Sequence, residues 1–492
     1  MNQADGDRDS FLRAFRLAAV VATLGLAACL VQGDDGLRHV GLAFGAPRDW
    51  GSVYPFSQFE VFRPYDPWGG YDWCLRRLAE ASAWIPLSLP VRRFLLLKAL
   101  AAVFIGSLLF LCVDRSRIAS AIRSEASLAV AFLLTALVLA QPVLRQAQLR
   151  PFAFGTLLLV YSIGREGFAR GLLASGATLA LYPYLGWIYT APVAVAHFLR
   201  GSRSFALGAA AATAASMAMQ PAECWGLLAS LVRSDAVRAQ FGVPPITELT
   251  SLWDHFGDAL LPALVVVAVL GPFVRRPARL EVEHLLMLLF APVALKYVRY
   301  FVDVEVTLAF VAFGSSALEP VENAATGLAA AWSTRLGRAP AAPAAPSNGG
   351  GRGFRALLAA SYAVAILLVA ALAAGQYREL GRAGEALEPV PAGSLVLTDF
   401  NTQYQVLYNR PDLSVVPSSE IGFPRDDVKE AYLGFLVDGR PCTLARAISA
   451  AWFLDPTTSY LDPRDTDCLQ WIADEAPLRL WRVAAPAAGT RP

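Results

Sequence analysis

Two adjacent carboxylates, an arginine and an imidazole follow the first apolar stretch of this sequence. They are Asp34, Asp35, Arg38 and His39 in the segment VQGDDGLRHVGLAFG. On a helix along the membrane surface, Asp35, Arg38 and His39 are three and four residues apart and share one face. A carboxylate pair supplies a general base or ligands for a divalent cation such as Mg²⁺ or Mn²⁺. We therefore expect Asp34 and Asp35 to be catalytic or metal-binding and Arg38 and His39 to contact substrate; an interfacial charge cluster that anchors the helix is the alternative.

Aromatic residues dominate the segment that follows, WGSVYPFSQFEVFRPYDPWGGYDW. Ring faces such as those of Tyr54, Tyr65 and Trp68 stack on sugars or contact an isoprenoid chain. The carboxylates of Asp66 and Asp72 can bind sugar hydroxyls or a metal. These five residues are candidate substrate ligands, and an ordinary aromatic belt at a membrane interface is the competing interpretation.

Ionisable residues also cluster in LKYVRYFVDVEV, which spans 295–306. Charged groups at membrane depth are costly and tend to be functional. As a phosphate clamp, Arg299 offers a fork of hydrogen-bond donors and Lys296 a point charge. Lys296, Arg299 and Asp303 are also at helical spacing, so an ion-pair ladder that neutralises itself is the alternative.

A short polar turn lies in LRQAQLRPFAFG, residues 144–155, between two apolar stretches. Its Arg145 and Arg150 run against the tendency of arginine to lie in cytoplasmic loops. They bind substrate or an anionic headgroup, or they cap the two short helices. Both interpretations stay open at this point.

The composition predicts a mainly α, polytopic transmembrane protein. Of the 492 residues, 55% are hydrophobic and 17% are charged, and the mean hydropathy is +0.45. A soluble domain carries about 25% charged residues. A membrane helix needs roughly 20 apolar residues, and about eleven apolar stretches of suitable character occur. They lie at about 17–32, 91–113, 126–144, 151–164, 171–184, 187–199, 205–219, 259–274, 283–298, 301–318 and 355–374.

Charge and cysteine content narrow the classes of partner and cofactor. The formal net charge is +2, and the sequence has neither a long basic tract nor a nucleic-acid motif, so we expect no nucleic acid and favour membrane lipids or membrane-bound molecules. The six cysteines are scattered singly and the four histidines lie far apart. This spacing argues against a zinc or redox centre.

Arginines in alternate short loops predict the orientation. They precede the first apolar stretch and follow every even-numbered one, which places the N-terminus in the cytoplasm. The long polar segments 33–90, 220–258 and 375–492 are then extracytoplasmic. The Arg- and Ala-rich composition indicates a bacterial inner membrane.

Four segments divide the chain. Residues 1–338 are predicted to form a transmembrane module, with 33–90 as its first outer loop. Residues 339–354, rich in Ala, Pro and Gly, cannot bury a core and are predicted to be a cytoplasmic linker. Residues 355–374 form the last span, and 375–492 form a small extracytoplasmic (periplasmic) α+β domain.

Within that domain, SLVLTDF and LSVVP predict short strands separated by an NRPD turn. Trp452, Trp471 and Trp481 are expected to fill the core. Cys442 and Cys468 either form a disulfide, as an oxidising compartment allows, or remain two buried thiols.

The layout resembles the GT-C superfamily of membrane glycosyltransferases, which includes oligosaccharyltransferase catalytic subunits, protein O-mannosyltransferases and the bacterial lipid A aminoarabinose transferase. The resembling features are the Asp34-Asp35 motif after the first span, followed by Arg38-His39, a long first outer loop, short middle spans, Arg299 and a C-terminal outer domain. The resemblance covers the layout of nearly the whole chain.

The resemblance implies that the first-loop acid is a catalytic base or positions a metal, and that the donor is a polyprenyl-phosphate sugar. Asp34 or Asp35 then deprotonates the acceptor hydroxyl, while Lys296 and Arg299 hold the departing phosphate. The outer domain lacks a WWD-type motif, which disfavours a peptide asparagine as acceptor. A single displacement without a protein nucleophile inverts the anomeric carbon.

The prediction is therefore an integral membrane glycosyltransferase that moves a sugar from a polyprenyl-phosphate donor to a lipid, glycan or protein acceptor on the extracytoplasmic face. A transporter or flippase for lipid-linked glycans is one alternative, but it would show polar residues deep inside spans and repeat symmetry, and neither is evident. A polymerase or ligase of lipid-linked glycans and a non-catalytic assembly or sensor protein are the others.

Overall fold

The computed structural model describes most of the chain, with gaps. Asp34, Arg299, Glu305 and the predicted linker lie outside the described residues, as does the side chain of Lys296. The described residues are 21, 23–27, 35–63, 65–115, 142–229, 280–296, 303–304, 306–307, 370–399, 402–416, 425–456, 461, 463–475 and 478–484.

The described residues before the C-terminal sheet are mostly helical. Residues 142–147, 222–229 and 370–386 are helical as well. The bounded helices are α1 (Asp35–Ala43), α2 (Trp50–Val53), α3 (Gln58–Val61), α4 (Gly69–Ala81), α5 (Leu89–Arg115), α6 (Ala153–Ser162), α7 (Phe168–Leu181), α8 (Trp187–Arg200), α9 (Arg203–Met219) and α10 (Val282–Lys296).

Each predicted apolar stretch that the structure describes over most of its length is helical. Among the described residues, Leu89–Cys112 in α5 is the one helix long and apolar enough to cross a membrane, with 24 residues and a mean hydropathy of 2.4. Shorter apolar helices follow at α6, α7 and Val282–Pro292 of α10. The helical character is confirmed for these stretches, and the count of about eleven spans stays a prediction.

Pro183 lies between two helices, at the boundary that the sequence predicts between the apolar stretches 171–184 and 187–199. Helix α7 ends at Leu181 and α8 begins at Trp187. Proline has no backbone N–H and its ring clashes with the preceding helical turn, which favours the break between the two helices here. The break starts α8 close to Tyr189, which contributes to the candidate site.

Small residues bring α7 and α9 close together. A Cβ atom on Gly171 would lie 2.2 Å from the carbonyl oxygen of Phe205, and one on Gly208 would lie 2.2 Å from that of Phe168. Glycine at such crossings lets two helix backbones approach. The middle of the chain is therefore a tightly packed set of short helices.

The C-terminal part contains one mixed sheet. Its strand order is β2-β1-β3-β5-β4, with β1 parallel to β2 and β3, and β5 antiparallel to β3 and β4. The elements, in chain order, are β1 (Leu395–Thr398), α11 (Thr402–Asn409), β2 (Ser414–Val416), α12 (Lys429–Asp438), α13 (Pro441–Ala447), β3 (Trp452–Pro456), β4 (Leu469–Glu475) and β5 (Leu478–Val483). This part has the predicted small α+β character.

The structure changes two details of the prediction for this part. The predicted strands are separated by α11 as well as by the NRPD turn, because parallel strands need a crossover connection. Trp471 is 59% exposed on β4, so its assignment to the core is wrong, whereas Trp452 and Trp481 are half-buried.

Cys442 and Cys468 form a disulfide, which decides between the two alternatives for that pair.

Helix α11 packs directly on α1, so the C-terminal part shares a core with the predicted first outer loop. A Cβ atom on Gly41 would lie 2.2 Å from the carbonyl oxygen of Leu407. Arg93 of α5 donates hydrogen bonds to the carbonyl oxygens of Tyr408 and Asn409, at 2.9 and 2.8 Å. These carbonyls end α11 and have no partner within the helix.

We expect Gly41→Ala to destabilise the protein by about 3 kcal/mol, because the new methyl group must push the α11 backbone away from α1. The matched control is Gly176→Ala in α7, where an added Cβ meets nothing within 4 Å. Alanine favours a helix over glycine by about 0.5–1 kcal/mol, so the control should be neutral or stabilising. Thermal unfolding of both variants in detergent checks this, and equal midpoints would contradict the close packing.

Candidate functional site

Helix α1 begins the site, and it is enclosed by protein. Eight of its nine residues are buried, so it is not the surface helix that the sequence suggests. The backbone N–H of Gly36 donates to the carbonyl oxygen of Gln148 at 3.1 Å, and a Cβ on Gly36 would lie 2.8 Å from that oxygen. The first turn of α1 therefore rests on the predicted outer turn that carries Arg145 and Arg150.

Asp35 lies between two guanidinium groups. Its Oδ1 is 3.4 Å from Nη2 of Arg38, and its Oδ2 is 3.2 Å from Nε of Arg150. The carboxylate side chain is only 7% exposed. A buried charge is tolerated when it is paired in this way, and removal of one partner leaves the others uncompensated. The Arg38–Asp35–Arg150 group is the first half of what we call the ion network.

Arg38 is fully buried beneath aromatic rings. Its Cζ lies 4.8 Å from the ring centroids of both Trp50 and Trp68, 5.7 Å from that of Tyr54 and 5.8 Å from that of Tyr404. Its Nη1 also donates to the Tyr54 hydroxyl at 3.2 Å. A weakly hydrated guanidinium over ring faces is stabilised by cation–π attraction. We call these four rings the aromatic cage.

His39 connects the cage to α4. Its Nδ1 is 2.5 Å from Oδ1 of Asp72, and its Nε2 is 3.5 Å from Nη2 of Arg38. Arginine has only donors, so Nε2 is the acceptor and Nδ1 carries the proton that it donates to Asp72. The ring packs edge-on against Trp50, Trp68 and Tyr71. His39 is thus held in one tautomer and one orientation.

Asp66 positions two cage tryptophans. Its Oδ1 accepts hydrogen bonds from Nε1 of Trp50 and from the backbone N–H of Trp68, each at 2.9 Å. Burial, with a further contribution from the nearby Asp72 carboxylate, raises the pKa of Asp66 to about 6. Asp66 therefore fixes the positions of Trp50 and Trp68 in the cage.

A second buried pair joins Arg145 to Asp303. Nη1 of Arg145 is 3.4 Å from Oδ2 of Asp303, and Nη2 donates to the hydroxyl of Tyr189 at 3.3 Å. Asp303 also accepts hydrogen bonds from Oγ1 of Thr156 at 2.7 Å and from the Tyr189 hydroxyl at 3.1 Å. Every one of these groups is buried. The pair is the second half of the ion network.

One short turn connects the two halves. The guanidinium carbon of Arg145 lies 4.1 Å from the ring centroid of Phe152, and that of Arg150 lies 5.7 Å from the same centroid. Two neighbouring helices hold the turn in place. The carbonyl of Gln148 accepts a hydrogen bond from Gly36 of α1, and the carbonyl of Leu149 accepts one from the Tyr71 hydroxyl of α4, at 2.8 Å. Residues 145–150 therefore carry both arginines to acids that lie far apart in the sequence.

The structure brings many of the predicted residues together and places one elsewhere. Tyr65 donates to Oε1 of Gln220 at 3.2 Å and lies beside Tyr184, away from the cage contacts described above. Asp34, Arg299 and the side chain of Lys296 lie outside the described residues, so their roles stay predictions. The predicted residues in the ion network, in the cage or bonded to them are Asp35, Arg38, His39, Tyr54, Asp66, Trp68, Asp72, Arg145 and Arg150.

Several contributors were not predicted as site residues. For Asp303 the sequence suggests only an ion-pair ladder with Lys296 and Arg299, whereas the structure pairs it with Arg145. Thr156 and Tyr189 lie in short apolar helices, where an isolated hydroxyl is the only available signal. Trp50 begins the same aromatic segment as the predicted residues, and no feature of its spacing marks it as a site residue. Tyr404 comes from α11, and no local pattern points from it to Arg38.

The divalent cation suggested for Asp34 and Asp35 does not fit Asp35 as the structure places it. Both of its carboxylate oxygens face guanidinium groups, which compete with a cation for the same lone pairs. Among the described residues, no group of three or more His, Cys, Asp or Glu side chains is arranged to hold a metal.

A polar cleft of about 660 Å³ lies at the other ends of α6 and α8. The ion network meets the first turns of these helices, through Thr156 and Tyr189, whereas the cleft is lined by residues at or just beyond their C-terminal ends, such as Arg165 and Arg200. In the predicted orientation this end is cytoplasmic. The cleft is therefore separate from the candidate site.

The raised pKa of Asp66 predicts a pH-dependent stability. The folded protein holds this proton more tightly than the unfolded chain, whose aspartate has a pKa of about 4. The contribution is full below about pH 4 and is lost as the pH rises to about 6, by on the order of 2 kcal/mol.

Thermal midpoints between pH 4 and 7 check this, and Asp66→Asn should flatten the fall. Asp49→Asn is the control, because the pKa of the exposed Asp49 is lowered; it should shift the curve without changing its slope in this window. A variant curve for Asp66→Asn that stays parallel to that of the wild type would refute the assignment.

The buried Arg145–Asp303 pair predicts strong coupling in a double-mutant cycle. Arg145→Met or Asp303→Asn alone should cost about 3–5 kcal/mol, because each leaves a buried charge without its partner. The double variant should cost at least about 1 kcal/mol less than the sum. Chemical unfolding in detergent measures the four free energies, and additive values would show that the two side chains do not interact.

No protein-family model matches the chain, and no curated protein matches it in sequence. An oligosaccharyltransferase from Archaeoglobus fulgidus, tethered to an acceptor peptide with the NVT sequon via a disulfide, is similar in structure with 13% identity and a TM-score of 0.46, over 90% of this chain and 69% of that one. ArnT from Cupriavidus metallidurans, bound to undecaprenyl phosphate, is similar with 15% identity and a TM-score of 0.45, over 98% of this chain and 99% of that one.

At these identities and TM-scores the similarity assigns no activity to the chain, which has to be argued from its own side chains. The sequence of this chain resembles the GT-C superfamily, which includes oligosaccharyltransferase catalytic subunits.

Proposed function

We propose that the chain is an integral membrane glycosyltransferase that moves a sugar from a polyprenyl-phosphate donor to a lipid, glycan or protein acceptor on the extracytoplasmic face. One observation carries the proposal: the ion network joins the acid of the first outer loop, the arginines of the outer turn and Asp303 in one buried site. Buried charges of this kind are costly and mark functional sites.

The transfer needs a group that accepts a proton and a group that stabilises a departing phosphate. In the reaction the acceptor oxygen forms a bond to the anomeric carbon, the bond from that carbon to the phosphate oxygen breaks, and the acceptor proton passes to a carboxylate. The polyprenyl phosphate leaves with the electron pair. Asp35 supplies the carboxylate and Arg150 supplies hydrogen-bond donors for the phosphate.

Donor binding and activation of Asp35 are coupled in this proposal. Arg150 holds Oδ2 of Asp35 in the structure, at 3.2 Å. A phosphate that takes over the guanidinium of Arg150 releases this oxygen, because a guanidinium fork suits phosphate as well as carboxylate. The released oxygen then accepts the proton of the acceptor hydroxyl.

The burial and the partners of the side chains together separate contact roles from support roles. The Arg150 side chain is 11% exposed, whereas that of Arg38 has no exposed surface and its guanidinium is held by Asp35, the Tyr54 hydroxyl and the aromatic cage. We assign Arg38, His39 and the aromatic cage to the support of Asp35, and Arg150 to phosphate contact. Arg145, Lys296 and Arg299 stay proposed substrate-binding residues, and Asp34 stays a proposed catalytic residue.

The C-terminal disulfide supports the proposed location. Cys442 and Cys468 are bonded, and disulfides persist in oxidising compartments such as the bacterial periplasm. The C-terminal part packs on α1, so the site is on the same side of the membrane. A bacterial inner-membrane protein with a cytoplasmic N-terminus and an extracytoplasmic site satisfies both observations.

Purified protein in detergent should transfer radiolabelled sugar from at least one donor in a panel of polyprenyl-phosphate sugars. Asp35→Asn should lower the rate by about 10²–10⁴-fold, because the amide cannot take the proton. Arg150→Lys keeps the charge and loses the planar fork, so we expect a smaller loss, about tenfold or more.

Arg77→Ala is the matched control, because Arg77 forms an exposed ion pair with Glu80, lies over the exposed ring of Trp73 and is outside the ion network. Thermal midpoints show whether each variant is folded. Full activity in a folded Asp35→Asn protein would remove Asp35 as the base. Binding of donors by the wild type without any transfer would instead favour a transporter or flippase.

A further inference from the structure

The side-chain amide of Gln146 is fully buried and makes no hydrogen bond. Neither Oε1 nor Nε2 has a partner, and the residue has no exposed surface. An amide can donate two hydrogen bonds and accept two. A buried polar group left without partners is rare and costly in a native protein, so it calls for a specific explanation.

Gln146 lies inside the segment that carries the ion network. It directly follows Arg145 in the helical residues 142–147, and Arg150 is one turn further on. Its backbone carbonyl accepts a hydrogen bond from the N–H of Leu149 at 3.2 Å, so it is the side chain alone that lacks partners.

The surrounding backbone holds this amide in a defined place. The carbonyls of Gln148 and Leu149 accept hydrogen bonds from α1 and from Tyr71 of α4, at 3.1 and 2.8 Å. A group held on a fixed turn is suited to recognise a ligand, because little conformational freedom is lost on binding.

We propose that Gln146 determines specificity for the sugar by hydrogen bonding to one of its hydroxyl groups. This inference rests on the proposed function. A hydroxyl both donates and accepts, as an amide does, whereas the neighbouring arginines only donate and Asp35 only accepts. Gln146 carries no charge, so it adds little to phosphate binding and instead recognises the uncharged sugar of the donor.

Gln146→Met is the informative variant, because methionine keeps the length of the side chain and removes all four hydrogen-bonding positions. The unliganded variant should unfold at the same temperature as the wild type or higher, since an unpaired buried amide has been removed. It should bind polyprenyl phosphate as well as the wild type does. The KM for the consumed donor should rise about tenfold, the loss expected for one hydrogen bond.

The decisive readout is the discrimination between each polyprenyl-phosphate hexose that is consumed and its monodeoxy analogues. Wild type should reject one deoxy analogue strongly, because the amide then stays unpaired, and Gln146→Met should treat that analogue and the parent donor nearly alike. Gln470→Met is the control, since Gln470 is exposed on β4 and should leave both the KM and the discrimination unchanged.

The outcomes separate this inference from the proposed function. If wild type neither binds polyprenyl phosphate nor consumes a donor, the proposed function fails and this inference fails with it. If wild type transfers sugar and Gln146→Met keeps the same KM and discrimination, only this inference is overturned. A variant that unfolds at a lower temperature and discriminates like the wild type assigns Gln146 a structural role, and that result overturns it too.

Discussion

A guanidinium without exposed surface, that of Arg38, is the constraint on which the rest of the site depends. A buried charge is stable only when ion pairing, hydrogen bonds and polarisable neighbours replace the water it has lost. Asp35 supplies the opposite charge, the Tyr54 hydroxyl accepts a hydrogen bond, and four rings cover the remaining faces. Helices α1, α2 and α11 and the loop before α4 are arranged so that these groups meet.

The same requirement extends beyond Arg38 to the outer turn. Asp35 is shared with Arg150, and Arg145 in the same turn pairs with Asp303, so the two pairs have one mechanical support. Phe152 lies against both of the turn's guanidinium groups. A shift of this turn would alter the Asp35–Arg150 pair and the Arg145–Asp303 pair at once. The two ion pairs therefore form a single structural unit.

Much of the architecture could be predicted from the sequence, because apolar length and proline position are local properties. The helices from α5 to α9, the break at Pro183 and the shared face of Asp35, Arg38 and His39 follow from such signals. Partnerships between distant residues could not be predicted in this way. Tyr189 and Tyr404 reach the site through tertiary packing, and helix α11 has too weak an apolar pattern to stand out between two strands.

The position of Tyr404 and α11 in the chain has a consequence for biogenesis. The ribosome makes Arg38 near the beginning of the chain and the last wall of its cage near the end, so α1 waits for most of synthesis with the surface beside Gly41 uncovered. Segments made early fold before later ones arrive. In the proposed orientation, docking of the exported C-terminal part on α1 adds the last ring around Arg38 and completes the site, so a truncated chain would expose the apolar side of α1 to quality-control proteases.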